Sequence, residues 1–160
     1  MEFEQLKLDN QLCFPVYAAS RLIIREYQPY LDQMSITYPQ YLVLMVLWEK
    51  DQISVNEIAQ KLILNTNTMT PLLKRMEVQG LIQRQRSGTD ERKVIVELTP
   101  KGKQLQTIAA EIPGKLASGL MSETLTIGEL VALRDSLHRL INFLMHKNKI
   151  PGKIGHQGVR

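Results

Sequence analysis

The stretch 54–98 constrains the fold most, because two short helical patterns in it are followed by two strand patterns. Ser54 opens the first helix with a capping box, in which a glutamate three residues on bonds back to the cap. Asn65 or Thr66 caps the second helix, which ends at Gly80, since glycine readily takes the left-handed conformation of a helix C-terminus. Strands are predicted at 81–86 and 92–98, joined by a turn of Ser, Gly and Asp.

Two close helices followed by a β-hairpin are typical of the winged helix-turn-helix, which places its second helix in a DNA groove and the hairpin beside it. That helix has one apolar face and one face of short polar residues followed by cations. Amides and hydroxyls can bond base edges, whereas Lys and Arg bind phosphates. The polar face, with Asn67, Thr70, Lys74 and Arg75, is therefore predicted to contact DNA. An ordinary solvated face is the alternative for this helix taken alone.

The hairpin carries four cations, which are Arg84, Arg86, Arg92 and Lys93. An arginine at a hairpin tip can enter a narrow minor groove, where the negative potential is enhanced, and we count Arg86 and Arg92 among the DNA-binding residues. Asp90 is unusual on a phosphate-facing surface, and we expect it to brace Arg92 through a charge-assisted hydrogen bond. An ordinary turn aspartate is the alternative.

Two helices are predicted before this stretch. The first covers about 9–31, is capped by Asp9 or Asn10, and has Pro15 in its first turn, where a missing N–H is least costly. Thr37 and a first-turn proline open the second helix, which is apolar almost all round. We expect that helix to be buried at the centre of the module.

After the wing, Thr99 caps a fifth helix, which Pro113 is expected to perturb, and a last helix follows residue 124. These helices carry more apolar groups than a small winged domain can bury, so we expect a dimer interface. The predicted fold is mainly α with a small β-hairpin wing, a winged helix-turn-helix with flanking N- and C-terminal dimerisation helices. One domain at 1–146 contains the DNA-binding part at 39–98 and dimerisation helices at 9–32 and 100–146, and a disordered basic tail follows at 147–160.

The 160 residues carry a net charge of +4 and a pI near 9.2, which suits an anionic partner without proving one. No apolar run approaches the roughly 20 residues of a membrane span, and the N-terminus is acidic and polar, unlike a signal peptide. We expect a cytoplasmic protein. Cys13 is the single cysteine, which excludes an intrachain disulfide, and no cysteine cluster surrounds the histidines, so we expect no metal and no cofactor.

The motifs "TDER" in the hairpin, "LLKRMEVQGLI" before it and "LTPKG" after it resemble the MarR family of dimeric winged helix-turn-helix repressors. "LDNQLCFPVYAASR" and "ITYPQYLVLMVLWE" are similar to its organic-hydroperoxide-sensing branch, the OhrR type, with Pro15 and the basic tail as departures. The resemblance implies that oxidation of Cys13 releases the repressor from its operator. It also implies that Tyr27 and Tyr38 approach the sulfur across the dimer interface. Its DNA-binding positions correspond to Thr66, Thr68, Thr70 and Arg75 around the recognition helix and to Asp90 and Arg92 on the wing.

Cys13 lies where the first helix begins, and a helix N-terminus stabilises a thiolate over a thiol. A thiolate attacks a peroxide oxygen to give a sulfenic acid. Without a second cysteine, that acid must condense with an external low-molecular-weight thiol, cyclise onto a backbone nitrogen or oxidise further. The alternative is that Cys13 is a small buried apolar residue.

Four functions are open from the sequence. The first is a repressor that binds a pseudo-palindromic operator in double-stranded DNA as a homodimer and is released when organic hydroperoxides oxidise Cys13. The second is a MarR-type regulator controlled by a small aromatic ligand. A thiol peroxidase would need a resolving thiol and a general base, and neither is visible, so we predict no enzyme. A protein-interaction module that uses the fold without DNA is the fourth.

Overall fold

Helices make up most of the described chain, and three short strands in it form one small sheet. The computed structural model describes residues 3–88, 90, 92–121 and 125–150. In chain order the elements are α1 (Cys13–Gln33), α2 (Tyr38–Glu49), β1 (Ile53–Ser54), α3 (Val55–Lys61), α4 (Thr66–Val78), β2 (Ile82–Arg86), β3 (Val94–Leu98), α5 (Pro100–Ala109), α6 (Ile112–Leu120) and α7 (Ile127–Lys147). Two 3₁₀ turns, Glu4–Leu6 and Leu8–Asn10, precede α1. The prediction of a mainly helical winged helix-turn-helix is confirmed.

α2 lies at the centre of the core, as its nearly continuous apolar sequence predicts. Its buried apolar side chains include Tyr41, Val43, Leu44 and Leu47. They belong to one cluster with buried residues of α3, α4 and the sheet, and we call α2 to β3 the reading head. α2 begins at the predicted position, where the Thr37 N–H donates to Gln40 Oε1 at 2.8 Å. The reading head is therefore built on a fixed central helix.

The wing is the hairpin of β2 and β3, and a third strand extends its sheet. The strand order is β1-β3-β2, antiparallel throughout. Ile53 of β1 pairs with Val96, which pairs on its other side with Arg84. The sequence predicts only an extended link at Ile53, and that link becomes a strand because β3 offers it a free edge. Of the predicted turn between the strands, Thr89 and Glu91 lie outside the described residues.

The start of α1 differs from the prediction. The sequence favours a cap at Asp9 or Asn10, but α1 begins at Cys13 and has no side-chain cap. The Asn10 side chain has another role, because its Nδ2 donates to the Glu4 carbonyl at 2.7 Å and joins the two 3₁₀ turns. Pro15 is the third residue of α1, in the first turn as predicted. The backbone N–H of any residue at this position would have no partner within the helix, so proline loses nothing there.

α5 is shorter than the sequence predicts, and Pro113 starts a new helix instead of perturbing α5. Thr99 caps α5 as predicted, since its Oγ1 accepts the Gly102 N–H at 3.1 Å. α5 ends at Ala109, and Pro113 lies in the first turn of α6, where the fixed φ of proline favours a helix. Ile112 at the start of α6 is buried and anchors this helix to the core.

α1 and α7 are long helices that have little of their own chain to pack on. Each has 21 residues, yet among the described residues only Leu31 of α1 and Met145 of α7 are buried. Large apolar side chains such as Leu22 (58% exposed) and Phe143 (62% exposed) face outward. Exposed apolar stripes of this length have the character of an interface. α7 extends to Lys147, and the last ten residues of the predicted tail lie outside the described residues.

Candidate functional site

α4 presents its polar side to solvent because its other side is anchored in the core. The buried side chains are Met69, Leu72, Leu73 and Met76. The N-terminus of α4 is fixed by Asn65, whose Oδ1 accepts the backbone N–H of Thr68 at 2.9 Å and its hydroxyl at 3.0 Å. The exposed residues are Thr66, Asn67, Thr68, Thr70, Lys74 and Arg75. All six residues of α4 that the sequence singles out for DNA binding are therefore accessible.

Two hydroxyls on this side of α4 already donate within the protein. Thr68 Oγ1 donates to Asn65 Oδ1, and Thr70 Oγ1 donates to the Thr66 carbonyl at 2.9 Å. With their protons used, these oxygens can only accept further hydrogen bonds. These two oxygens can therefore accept from the amino groups of adenine or cytosine in the major groove, whereas the exposed Asn67 amide can both donate and accept.

Asp90 organises the wing tip, but through a different contact from the expected one. The sequence predicts a hydrogen bond from the Arg92 guanidinium, but Asp90 Oδ1 accepts one from the backbone N–H of Arg92 at 3.1 Å. Asp90 Oδ2 lies 3.9 Å from Lys93 Nζ. A turn aspartate commonly bonds the backbone two residues on, and this short-range geometry is easier to form than a side-chain brace. Arg86 and Arg92 are exposed, so both guanidinium groups are accessible.

A groove of about 300 Å³ separates α3 and α4 from the wing. Its helix side includes Asn56, Thr66 and Thr70, and its wing side includes Arg92 and Lys93. The sequence reasoning missed Asn56, although an exposed amide in the first turn of α3 is a signal that could have found it. A groove lined by polar and cationic side chains is suited to a nucleic-acid backbone, because both kinds of group bind phosphate and sugar oxygens.

Arg84 is not the free wing cation that the sequence suggests. Its guanidinium donates from Nε at 3.0 Å and from Nη2 at 2.6 Å to Oε2 of Glu77, near the end of α4. Its backbone N–H donates to Oε1 of the same carboxylate at 3.1 Å. The side-chain hydrogen bonds from Arg84 hold the pKa of Glu77 below its usual value, so this carboxylate is charged at neutral pH.

The start of α5 clamps the end of α4 through contacts that we call the α4–α5 joint. Thr99 Oγ1 donates to the Gly80 carbonyl at 2.7 Å, and Lys101 Nζ donates to the Gln79 carbonyl at 2.9 Å. Trp48 Nε1 donates to the Gly102 carbonyl at 3.0 Å. The Thr99 and Lys101 bonds satisfy carbonyls at the end of α4 and tie the recognition helix to α5. The Trp48 bond attaches α5 to α2. No local pattern in the sequence predicts these bonds.

Cys13 is the first residue of α1, and it is exposed. The thiol of the protomer is therefore open to a peroxide, whereas the alternative interpretation expects a buried apolar side chain. Tyr17, one turn further along α1, accepts a hydrogen bond from Arg21 Nη1 at 3.3 Å. The same guanidinium lies over the Tyr17 ring, 5.6 Å from its centroid.

Tyr27 and Tyr38 contact each other and not Cys13. Their ring centroids lie 5.1 Å apart in an edge-to-face arrangement, and Tyr41 packs 5.8 Å from Tyr27. Burial raises the pKa of Tyr27 and of Tyr38, so both hydroxyls keep their protons at neutral pH and can donate hydrogen bonds. Tyr27 follows Cys13 by fourteen residues on the same helix, a separation of roughly 21 Å at about 1.5 Å per residue. One protomer therefore cannot bring its own Tyr27 to its own sulfur.

Two features are absent from the described part of the chain. No group of three or more His, Cys, Asp and Glu side chains there is placed to hold a metal ion. No helix there combines the length and the apolar character needed to cross a bilayer.

Comparison with known proteins identifies the family. The family model described as "Transcriptional regulator SarA/Rot" matches residues 25–108. An organic hydroperoxide resistance transcriptional regulator of Bacillus subtilis is 46% identical, over 92% of this chain and 98% of that protein. The chain belongs to the MarR family of transcriptional regulators. The predicted class of protein, a regulator and not an enzyme, is confirmed.

Solved structures of a MarR-type relative, AbfR of Staphylococcus epidermidis, match nearly the whole chain. Reduced AbfR bound to DNA superposes with a TM-score of 0.72 at 38% identity, covering 91% of this chain and 99% of AbfR. Over-oxidised AbfR bound to DNA superposes with a TM-score of 0.70 at 40% identity, covering 90% and 99%. The MarR-type fold of the present chain is thus shared by a relative whose reduced and over-oxidised forms are both seen on DNA.

Proposed function

We propose that the chain is a dimeric DNA-binding repressor that leaves its operator when an organic hydroperoxide oxidises Cys13. One observation carries the DNA-binding part: Thr66 and Thr70 of α4 line the same groove as Arg92 and Lys93 of the wing. The 46% identity to a hydroperoxide resistance regulator supports the stimulus. Since the partner is chromosomal DNA, the protein acts in the cytoplasm.

α4 reads a major groove while the wing enters the adjacent minor groove. The residues of α4 that face base edges are Thr66, Asn67, Thr68 and Thr70. Lys74 and Arg75 bind phosphates. Arg86 and Arg92 extend from the wing to the minor groove, and Asp90 holds the turn that carries Arg92. Because each neutralised phosphate releases counterions, operator affinity falls steeply with salt.

A second copy of the chain completes the DNA-binding surface and the site around Cys13. The exposed apolar faces of α1 and α7 bury against that copy, and the two reading heads then match half-sites about 34–36 Å apart on a pseudo-palindrome. The second protomer also supplies Tyr27 and Tyr38 to the sulfur. The separation of roughly 21 Å along α1 supports this arrangement, because it rules out contact between Cys13 and Tyr27 of one chain, and Tyr38 packs on that Tyr27.

The switch begins with two covalent steps at Cys13. The thiolate attacks the outer oxygen of the hydroperoxide, the O–O bond breaks, and the products after protonation are a sulfenic acid and an alcohol. Tyr27 and Tyr38 of the second protomer, kept protonated by burial, donate hydrogen bonds to the thiolate. A low-molecular-weight thiol then condenses with the sulfenic acid, releasing water and leaving a mixed disulfide.

The mixed disulfide is the form that releases DNA in this proposal. Over-oxidised AbfR is bound to DNA in its solved structure, so added oxygen atoms alone do not prevent binding by that relative. A thiol adduct adds much more bulk at the start of α1, next to the exposed apolar face. Displacement of α1 then moves the two reading heads out of register with successive major grooves.

Fluorescence anisotropy on the DNA upstream of the chain's own gene tests the proposal. The reduced protein should bind, and it should dissociate after cumene hydroperoxide and a low-molecular-weight thiol are added, whereas Cys13→Ser should stay bound. Oxidant-driven dissociation of Cys13→Ser would refute the switch. Release of both proteins by salicylate would support the small-ligand alternative. Arg92→Ala should weaken binding of the reduced protein, and undiminished binding would favour a protein-interaction module.

Mixed dimers test whether the sulfur and the tyrosines come from different protomers. A dimer of one Cys13→Ser chain and one Tyr27→Phe chain has a complete site only if Tyr27 acts across the interface. Its single Cys13 should then form sulfenic acid at the wild-type rate, while the Tyr27→Phe homodimer reacts more slowly. Equal, slow rates in the mixed dimer and the homodimer would exclude the shared site.

A further inference from the structure

Glu77 and Arg84 form an ion pair that joins α4 to the wing. Both carboxylate oxygens are used, Oε2 by the guanidinium and Oε1 by the backbone N–H of Arg84. The Arg84 and Glu77 side chains are 21% and 37% exposed, whereas the pair of Lys93 and Asp90 at the wing tip is more exposed and separated by 3.9 Å. Exposed pairs contribute little, but a shielded arginine with several charge-assisted bonds fixes a geometry.

The pair spans the turn that connects the recognition helix to the wing. Glu77 lies in the last turn of α4, Arg84 is the middle residue of β2, and Gly80 between them has φ +69°. A glycine in the left-handed region restrains the chain weakly, because it has no Cβ to limit its conformation. The Glu77 carboxylate gives the wing a second attachment to α4, at the side chain and the backbone of one strand residue.

We propose that Glu77 is a positioning residue for DNA binding, which acts through Arg84 to set the angle between the wing and α4. That angle decides whether Arg92 reaches the minor groove while α4 lies in the major groove. The inference rests on the proposed DNA-binding function and deepens it. Glu77 touches no DNA in this role, and the Arg84 guanidinium is held by a carboxylate and not by a phosphate.

Simple electrostatics predicts the opposite effect for the loss of Glu77. Removing a negative charge from a DNA-binding surface strengthens the attraction to phosphate. If Arg84 were a phosphate contact, its release from Glu77 would strengthen binding further. In the positioning role, the same change weakens binding because the wing loses its angle. The sign of the change in Kd therefore separates the two accounts.

The test compares Glu77→Gln with Glu49→Gln in the reduced full-length protein, using anisotropy on the operator. Glu49 is a matched control, since it is also an ion-paired glutamate of the reading head, with Lys61 Nζ at 2.6 Å. Glu77→Gln should raise Kd about tenfold, the size of effect expected from a coupled network contact. Glu49→Gln should leave Kd unchanged or lower it. Unchanged or tighter binding by Glu77→Gln would overturn the proposal.

The same substitution in an Arg92→Ala chain shows whether Glu77 acts through the wing. If it does, Glu77→Gln should change Kd by less than about twofold in that background, because the contact it positions is already lost. A full tenfold effect in both backgrounds would assign Glu77 to the support of α4 and refute the wing role. Absence of operator binding by the wild-type protein would instead refute the proposed function, and the inference would fall with it.

Arg84→Lys gives a second, conservative variant in case Glu77→Gln folds poorly. Lysine keeps the cation but offers one nitrogen in place of the guanidinium. The positioning role predicts weaker binding, whereas a direct phosphate contact would tolerate lysine. Hydroxyl-radical footprints add a readout that a loss of stability would not produce: both variants should keep protection at the α4 half-sites and lose it in the minor groove at the wing. Uniform loss of protection would contradict the proposal.

Discussion

Replacement of Gly102 by alanine should strain the α4–α5 joint. A Cβ on Gly102 would lie 2.2 Å from the carbonyl oxygen of Leu81 and 3.1 Å from Cδ2 of Leu98. Carbon–oxygen contacts in proteins are about 3.3 Å or longer, so α5 must move away by roughly 1 Å. The Leu81 oxygen belongs to the backbone and cannot rotate aside, so the movement falls on the helix itself.

The expected loss of unfolding free energy is about 1–3 kcal/mol, because overpacking against a rigid neighbour costs about that much. Weakening of the hydrogen bond from Trp48 to the Gly102 carbonyl adds about 1 kcal/mol to the loss. The higher helix propensity of alanine offsets about 1 kcal/mol. A chain of this size loses about 2–4 °C in Tm for each kcal/mol, so the melting temperature should fall by several degrees.

Thermal unfolding of Gly102→Ala beside Gly114→Ala measures this effect. Gly114 lies in α6 with nothing within 4 Å of an added Cβ, so its substitution should leave Tm unchanged or raise it slightly. A Gly102→Ala protein that melts at or above the wild-type temperature would refute the close approach of α5 to Leu81. Equal decreases in both variants would show a general effect of the substitution and not a strained joint.

Two further outcomes concern acid stability and the interface. The hydrogen bonds from the Ser54 side chain and backbone lower the pKa of Glu57 below the usual 4.5. The charged carboxylate therefore stabilises the fold at pH values above 4.5, and this stabilisation is lost as the pH falls through the lower pKa of the folded protein. Urea midpoints measured from about pH 7 to about pH 3 should therefore fall less steeply for Glu57→Gln than for the wild type. Phe143→Asp puts a charge on the exposed face of α7 and should raise the dimer dissociation constant at least about tenfold. Sedimentation equilibrium measures that constant, and an unchanged dimer would exclude this face from the interface.

Local signals in the sequence predict much of the reading head. The caps at Ser54 and Thr99 are found as predicted, and of the two candidates Asn65 and Thr66 it is Asn65 that caps α4. Each cap depends on residues within three positions. Gly80 ends α4 in the left-handed conformation that the sequence predicts. These motifs are closed by hydrogen bonds between near neighbours, so tertiary packing has little opportunity to override them.

The features that the sequence does not reveal join residues from different elements. Lys101 meets the Gln79 carbonyl across 22 positions. Glu77 pairs with Arg84 across the turn that leads from α4 into the wing. The sequence does not reveal this pair, because both charged side chains could equally well face solvent. The proposed cysteine–tyrosine site is harder still, because one protomer cannot bring its own Tyr27 to its own Cys13. Only the family resemblance pointed to it, and the length of α1 then explains why a second chain is needed.

A continuous series of contacts leads from the tyrosines to the recognition helix. Tyr27 packs on Tyr38 and Tyr41, Tyr41 packs on Trp48 with 6.2 Å between ring centroids, and Trp48 bonds the Gly102 carbonyl in the α4–α5 joint. In the proposed switch, a thiol adduct that displaces Tyr27 should also shift Trp48 and the hydrogen bond that holds α5 against α2, because packed interiors transmit strain. Gly102→Ala disturbs that same hydrogen bond from the side of α5. It should therefore weaken operator binding by the reduced protein even when no oxidant is present.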